Sequence, residues 1–191
     1  GDMGIRWLRD DATWSRIERQ KGVYVVPSTF DRFLRSSRSE WGCEPMIILD
    51  YSNTLYEEDR AVATEAGRRA FAAWAEFMAR TYRDSVTYWE IWNEPNISGF
   101  WKPKPNAVDY ALLLKAGYEA VKRGNPDAVV VAMVTAGIDL TFIENVLKEG
   151  TVGCFDAVSV HPYRYPKSPD KAETTVEHLQ RLIDLLARHG A

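Results

Sequence analysis

The stretch Tyr88-Trp89-Glu90-Ile91-Trp92-Asn93-Glu94-Pro95-Asn96 decides how this chain is read. It begins as large apolar residues interrupted only by Glu90, the pattern of a strand buried on both faces. It ends in Asn93-Glu94, where Pro95 removes a backbone donor and stops the ladder. Short apolar runs of this kind recur, and they predict strands over residues 5–9, 46–50, 87–93, 128–134 and 157–160. Three of them begin about forty residues apart, at positions 46, 87 and 128.

Between the strands, apolar residues return at helical spacing. Ala66, Ala70, Trp74, Phe77 and Met78 mark one helix; Ala111, Lys115 and Tyr118 mark a second, less cleanly. Val176, Leu179, Leu182, Ile183 and Leu186 predict one apolar face on a last helix. Thr174 with Glu177 forms a capping-box pattern at its start, and Gly190 suits its C′ position. Repeated strand–helix units imply right-handed crossovers and a parallel sheet.

Two architectures satisfy that pattern, an open doubly wound sheet and part of a (β/α)₈ barrel. No G-x-G-x-x-G or G-x-x-x-x-G-K-[ST] follows any strand, so the usual phosphate-binding loops of doubly wound folds are missing. Polar residues gather instead at strand ends: Arg9-Asp10, Asp50-Tyr51-Ser52-Asn53, Asn93-Glu94 and His161-Pro162-Tyr163. In barrel enzymes that rim carries the active site. The expected fold class is α/β, a (β/α)₈ (TIM) barrel present as an incomplete arc of about five units. Residues 1–191 would form a single partial domain.

Composition narrows the partners. A chain of 191 residues with 46% hydrophobic and 27% charged side chains matches an ordinary folded domain. Its 24 basic and 27 acidic residues leave a net charge of −3 with no basic stripe, which argues against nucleic acid and anionic membrane surfaces. No apolar run approaches the ~20 residues of a membrane span. Cys43 and Cys154 lie far apart in no metal-ligand spacing and are read as free thiols. Asp10-Asp11 has no further carboxylates close in sequence, so no metal and no organic cofactor is expected. The first residues show no charged leader, apolar core and cleavage site. Both ends read as cuts inside a larger fold, which leaves the compartment, secretion included, open.

Glu94 is the candidate for chemistry. A carboxyl group at a strand mouth, crowded by Trp89, Trp92 and Trp101, has the partly desolvated setting that suits a general acid. Glycoside hydrolysis needs two carboxyl groups flanking the scissile bond, one of which protonates the leaving oxygen. The plain alternative is a Glu paired with a nearby Arg. Asn93 can hydrogen-bond a sugar 2-hydroxyl, and Trp101 offers a ring face on which a pyranose could stack. Glu90 lies four residues earlier on the same strand, about 13 Å lower at ~3.3 Å per residue. A retaining pair needs carboxyl groups only ~5 to 5.5 Å apart, so Glu90 is read as ion-paired or barrel-interior.

The run Trp89 to Asn96 resembles the fourth-strand signature of the clan of retaining (β/α)₈ glycosidases that includes cellulases, β-xylosidases and α-L-iduronidase. The segment Arg9-Asp10, Trp14, Ile17-Glu18, Lys21-Gly22-Val23-Tyr24 and Phe30-Asp31 is similar to the second unit of its β-xylosidase and iduronidase-like branch. Asp50 to Asn53 and His161 to Tyr163 match the third and sixth strand ends. The resemblance spans essentially the whole chain, from the second strand to the sixth helix. It implies Glu94 as acid/base, Asn93 as 2-hydroxyl ligand, and Arg9 as the group that orients the nucleophile. It places His161, Tyr163 and Asn53 at the substrate, and a Glu on the seventh strand, absent here, as nucleophile. The implied partner is an oligo- or polysaccharide. A non-catalytic sugar-binding or interaction protein derived from a barrel is the alternative from another class, and an unrelated open-sheet α/β enzyme is a third. An open arc would also expose two sheet edges, which invites self-association.

Overall fold

The structure, a computed structural model, describes residues 4–58, 60–163 and 172–191. The chain runs β1 (Trp7–Thr13), α1 (Trp14–Ile17), β2 (Glu18–Gln20), β3 (Val23–Tyr24), α2 (Ser28–Ser39), β4 (Glu44–Asp50), α3 (Glu65–Thr81) and β5 (Tyr88–Ile91). It continues through α4 (Ala107–Gly124), β6 (Val129–Ala136), α5 (Leu140–Lys148), β7 (Ala157–His161) and α6 (Ala172–His189). β1, β4, β5, β6 and β7 lie side by side in that order, and every neighbouring pair is parallel. A doubly wound sheet reverses its strand order at a switch point. Here sequence order and spatial order agree, so the sheet is an incomplete α/β barrel.

Strand side chains alternate between two faces. Ile47, Leu49, Trp89, Ile91, Val130 and Ala132 turn to the helices and join Phe71, Trp74 and Met78 of α3 and Leu113, Leu114 and Val121 of α4 in one core. Trp89 is therefore a core residue on the helix side, not part of the crowding around Glu94. α3 and α4 pack tightly enough that a Cβ at Gly124 would lie 2.6 Å from Glu76 O, a backbone atom that cannot swing aside. Side-chain caps start three of the helices: Thr64 accepts from Gly67 N, Asn106 from Val108 N and Asp109 N, and Asp139 from Phe142 N.

Several boundaries differ from the sequence reading. β1 does not stop at Arg9 but pairs with β4 as far as Thr13. Arg9 and Asp11 point to the inner face, which in an arc is not packed against apolar neighbours, so polar residues persist inside a strand. β5 ends at Ile91, because Trp92 turns out of extended geometry with φ 70°. Helix α2 and the β2–β3 hairpin were not anticipated. The apolar face expected on α6 is divided: Leu182 is buried, while Val176 and Ile183 are 64% and 57% exposed. That helix begins at Ala172, which puts Thr174 inside its first turn; the Thr174 side chain lies outside the described residues. Cys43 and Cys154 are both free.

Candidate active site

Glu94 reaches its place by leaving the strand ladder. Trp92 and Glu94 both adopt left-handed backbone, with φ 70° and 48°; Met133 and Val134 of β6 do the same, with φ 70° and 44°. Each such non-glycine residue costs on the order of 1–3 kcal/mol and persists only where its surroundings impose it. The surroundings here are a bulge in β6, where the pairing with β7 shifts between Met133 and Thr135. The turned-out Val134 O accepts from Glu94 N at 2.9 Å. Tyr110, fully buried on α4, accepts from Met133 N at 2.9 Å and donates to Ile91 O at 3.1 Å, so one hydroxyl fixes both departures.

The side chain of Glu94 thereby lies at the C-terminal mouth, 5% exposed, with Oε1 2.8 Å from His161 Nδ1 at the end of β7. Tyr163 is exposed, yet local desolvation at its hydroxyl and the Glu94 carboxylate hold its phenol above the ordinary value. Three residues predicted for the site, Glu94, His161 and Tyr163, thus come together.

Asn93 and Arg9 form a second group. Arg9 Nε donates to Glu90 Oε2 at 2.7 Å, and its Nη2 donates to Asn93 Oδ1 at 2.9 Å. Asn93 Nδ2 faces Tyr51 OH at 3.4 Å. Glu90 is fully buried, so the Arg9 guanidinium is the charge that makes its carboxylate tolerable there. Arg9 lies within β1 rather than at its end, and in this chain it holds Glu90 and the Asn93 amide.

Asp50 and Asp11, which the sequence reading did not single out for chemistry, adjoin this group. Asp50 is 0% exposed, and neither carboxylate oxygen is in hydrogen-bonding geometry with a donor. Burial, with the Asp11 carboxylate as the next largest cause, pushes the Asp50 carboxyl up to about 9. The nearby Arg9 and Tyr51 pull the other way without offsetting this. As the neutral acid, Asp50 avoids standing as a buried, unpaired charge. The signal available in the sequence was an acidic residue closing an apolar run, in Met46 to Asp50.

Two expected ligands are corrected. Trp101 is 1% exposed, edge-on to Trp92 with ring centroids 5.1 Å apart and edge-on to Tyr110 at 6.1 Å. It is a core residue with no free face for a sugar. Asn53 is 2% exposed; its Nδ2 donates to Glu18 O at 2.7 Å and its Oδ1 accepts from Leu55 N at 3.0 Å. Both ends of that amide serve the backbone. Glu18 in turn accepts from Trp14 Nε1, Gly22 N and Tyr56 OH, tying the hairpin to the loop after β4. Among the described residues there is no group of three or more His, Cys, Asp or Glu that could hold a metal ion, and no helix is long and apolar enough to cross a membrane.

No family model matches the sequence. Among solved structures, the chain is similar to a family 39 glycoside hydrolase from Bacteroides cellulosilyticus WH2, with 32% identity and a TM-score of 0.75 over 87% of this chain and 34% of that one. It is similar in fold to a monomeric β-xylosidase from Caulobacter crescentus CB15, with 19% identity and a TM-score of 0.73 over 96% of this chain and 43% of that one. A β-galactosidase from Bacillus circulans sp. alkalophilus matches at 16% identity and a TM-score of 0.64, over 93% of this chain and 38% of that one. The chain therefore spans between a third and a half of the length of these structures. By fold, it is an incomplete β/α barrel of the kind on which these glycoside hydrolases are built.

Proposed function

We propose that this chain is the acid/base half of a retaining glycoside hydrolase that acts on O-glycosyl bonds. The observation that carries the reading is Glu94. It is a nearly buried carboxyl group at the C-terminal end of a barrel strand, held by strained backbone and a histidine 2.8 Å away. Double displacement asks one carboxyl group to act first as acid and then as base. His161 suits that alternation: its Nδ1 can accept from a protonated Glu94 or donate to the carboxylate, according to its tautomer. In the first step Glu94 protonates the leaving oxygen while a Glu from a further strand of the complete barrel, beyond β7, attacks the anomeric carbon. In the second, Glu94 takes a proton from the water that releases the sugar. Asn93, oriented by Arg9, faces the sugar 2-hydroxyl, and Tyr163 lines the same mouth.

The alternative, a sugar-binding protein without catalysis, loses its aromatic platform, since Trp101 is buried. The reaction needs no metal and no organic cofactor.

The test uses a barrel completed with its remaining strands and a panel of 4-nitrophenyl β-glycosides of xylose, glucose and galactose. NMR of the first-formed sugar should show retained β configuration, and Glu94→Gln should lower turnover by about 10²–10⁴. Inverted product would contradict the retaining mechanism. Undiminished turnover in Glu94→Gln would contradict the assignment of Glu94.

A further inference from the structure

Past Trp92 the ordinary ladder of β5 has ended, yet Glu94 must be held to a fraction of an ångström. Beyond the Glu94 N to Val134 O bond, the next attachment is made by a side chain. Asn96 Oδ1 accepts from Ala136 N at 2.8 Å, and Asn96 Nδ2 donates to Ala136 O at 3.0 Å. That amide pairs with the end of β6 as a strand residue would, both donor and acceptor engaged. Nδ2 also donates to Asp139 Oδ2 at 3.1 Å, while Asp139 Oδ1 accepts from Phe142 N and caps α5. Two short segments in unfavourable backbone, the Glu94 turn and the β6 bulge, are thus riveted to each other and to the start of a helix.

We propose that Asn96, seconded by Asp139, is a positioning residue for the acid/base Glu94: it supplies by side chain the strand pairing that the Glu94 turn gives up. The inference rests on the reading of Glu94 as the acid/base. Asn96 touches neither substrate nor reacting atoms. Its loss would let the turn relax towards ordinary backbone and carry the Glu94 carboxyl away from the leaving oxygen and from His161. The consequence is selective. A leaving group that needs a proton suffers; one acidic enough to depart unaided does not.

The test compares Asn96→Ala, Asp139→Asn, Asn106→Ala and Glu94→Gln in the completed barrel. Asn106 caps α4 by accepting from Val108 N and Asp109 N, so its loss controls for a weakened helix start elsewhere. Asp139→Asn keeps one oxygen for the α5 cap and takes the acceptor from Asn96, which covers the case in which Asn96→Ala does not fold. On the panel sugar that turns over fastest, kcat/KM for the unactivated phenyl glycoside should fall about a hundredfold in Asn96→Ala, the scale of a misplaced catalytic group. The fall should be smaller but in the same direction in Asp139→Asn. With the 2,4-dinitrophenyl glycoside, kcat/KM should stay at the wild-type value. In the 191-residue chain, the side-chain ¹⁵N resonances of His161 should move in Asn96→Ala and stay in place in Asn106→Ala.

An equal loss on both leaving groups, or kinetics and His161 resonances matching those of Asn106→Ala, would overturn the positioning role. If Glu94→Gln shows the leaving-group-selective loss and Asn96→Ala does not, this inference alone falls. If Glu94→Gln is without effect, the functional reading falls and takes this one with it.

Discussion

The middle of the arc and its two margins are built from similar residues and treat them differently. In the middle, Trp74 of α3, Trp89 of β5 and Tyr110 of α4 are 0% exposed. At one margin, Ile5 just before the edge strand β1 and Trp7 at its start are 46% and 52% exposed, Trp7 meeting Tyr88 in a T-shaped contact. At the other, Val176, Leu179 and Ile183 line the open side of α6. Apolar sequence is spread along the whole chain, but burial needs a neighbour on both sides, and among the described residues only β4, β5 and β6 of this sheet have one. Exposed apolar margins flanking a finished centre are what part of a closed barrel presents.

The contrast can be broken most forcefully by truncation at its centre. Trp74→Ala should cost about 3–5 kcal/mol, the usual scale for a large aromatic lost from a core, read from urea unfolding. A loss under about 1 kcal/mol would mean that the centre is not close-packed.

At the seam between centre and margin, Asp50 of β4 pairs in register with Thr13 of β1 and lies near the Asp11 carboxylate. The Asp50 carboxyl is raised in the folded state to about 9 from an ordinary value of 3.8. The fold therefore keeps a proton that the unfolded chain gives up between those values. Its contribution to stability is full below about pH 4 and is lost as pH rises towards about 9. Asn cannot titrate, so Asp50→Asn should gain on the wild type as pH rises through that window, by up to about 1.4 kcal/mol per pH unit. Parallel stability curves for the two proteins would contradict the raised Asp50 carboxyl.

A smaller effect is expected where α4 ends against α3. Gly124→Ala should cost about 1–3 kcal/mol, since its Cβ meets backbone that must shift. An unchanged melting temperature would show the helices free to part there. Smallest for the fold is the margin itself: Trp7→Ser should change stability by under about 0.5 kcal/mol. It should nonetheless shift sedimentation velocity of the concentrated chain towards the monomer if that edge drives self-association. The same pair of margins bears on activity. If the proposed nucleophile is a Glu of a later strand, the 191-residue chain alone should not turn over aryl glycosides; robust turnover would contradict that.

Much of this was legible in the residues. Apolar runs spaced about forty apart and polar strand ends located the sheet, its parallel order and the Glu94 mouth. The misses share a cause, which is that tertiary packing decides them. Trp101 follows the Glu94 loop and reads as a platform, yet the aromatic cluster of Trp92 and Tyr110 draws it inside. Asn53 ends a polar run, but two backbone partners use its amide. α2 carries few apolar residues in a Ser- and Arg-rich segment; Phe30, Phe33 and Leu34 at helical spacing were the signal that could have revealed it. Left-handed backbone at Met133 and Val134 has no sequence mark at all, since it is imposed by Tyr110, Asn96 and the bulge.

The central claim is that Glu94 serves as the acid/base of a retaining glycosidase. The most direct measurement is the reaction of Glu94→Ala in the completed barrel, with and without sodium azide. The account predicts a loss of about 10²–10⁴ in turnover, the usual contribution of a general acid–base group. It also predicts recovery with azide on a 2,4-dinitrophenyl glycoside, with a β-glycosyl azide as product, because a small anion can replace water that has lost its base. Turnover at the wild-type rate without azide, or an α-configured azide product, would contradict it.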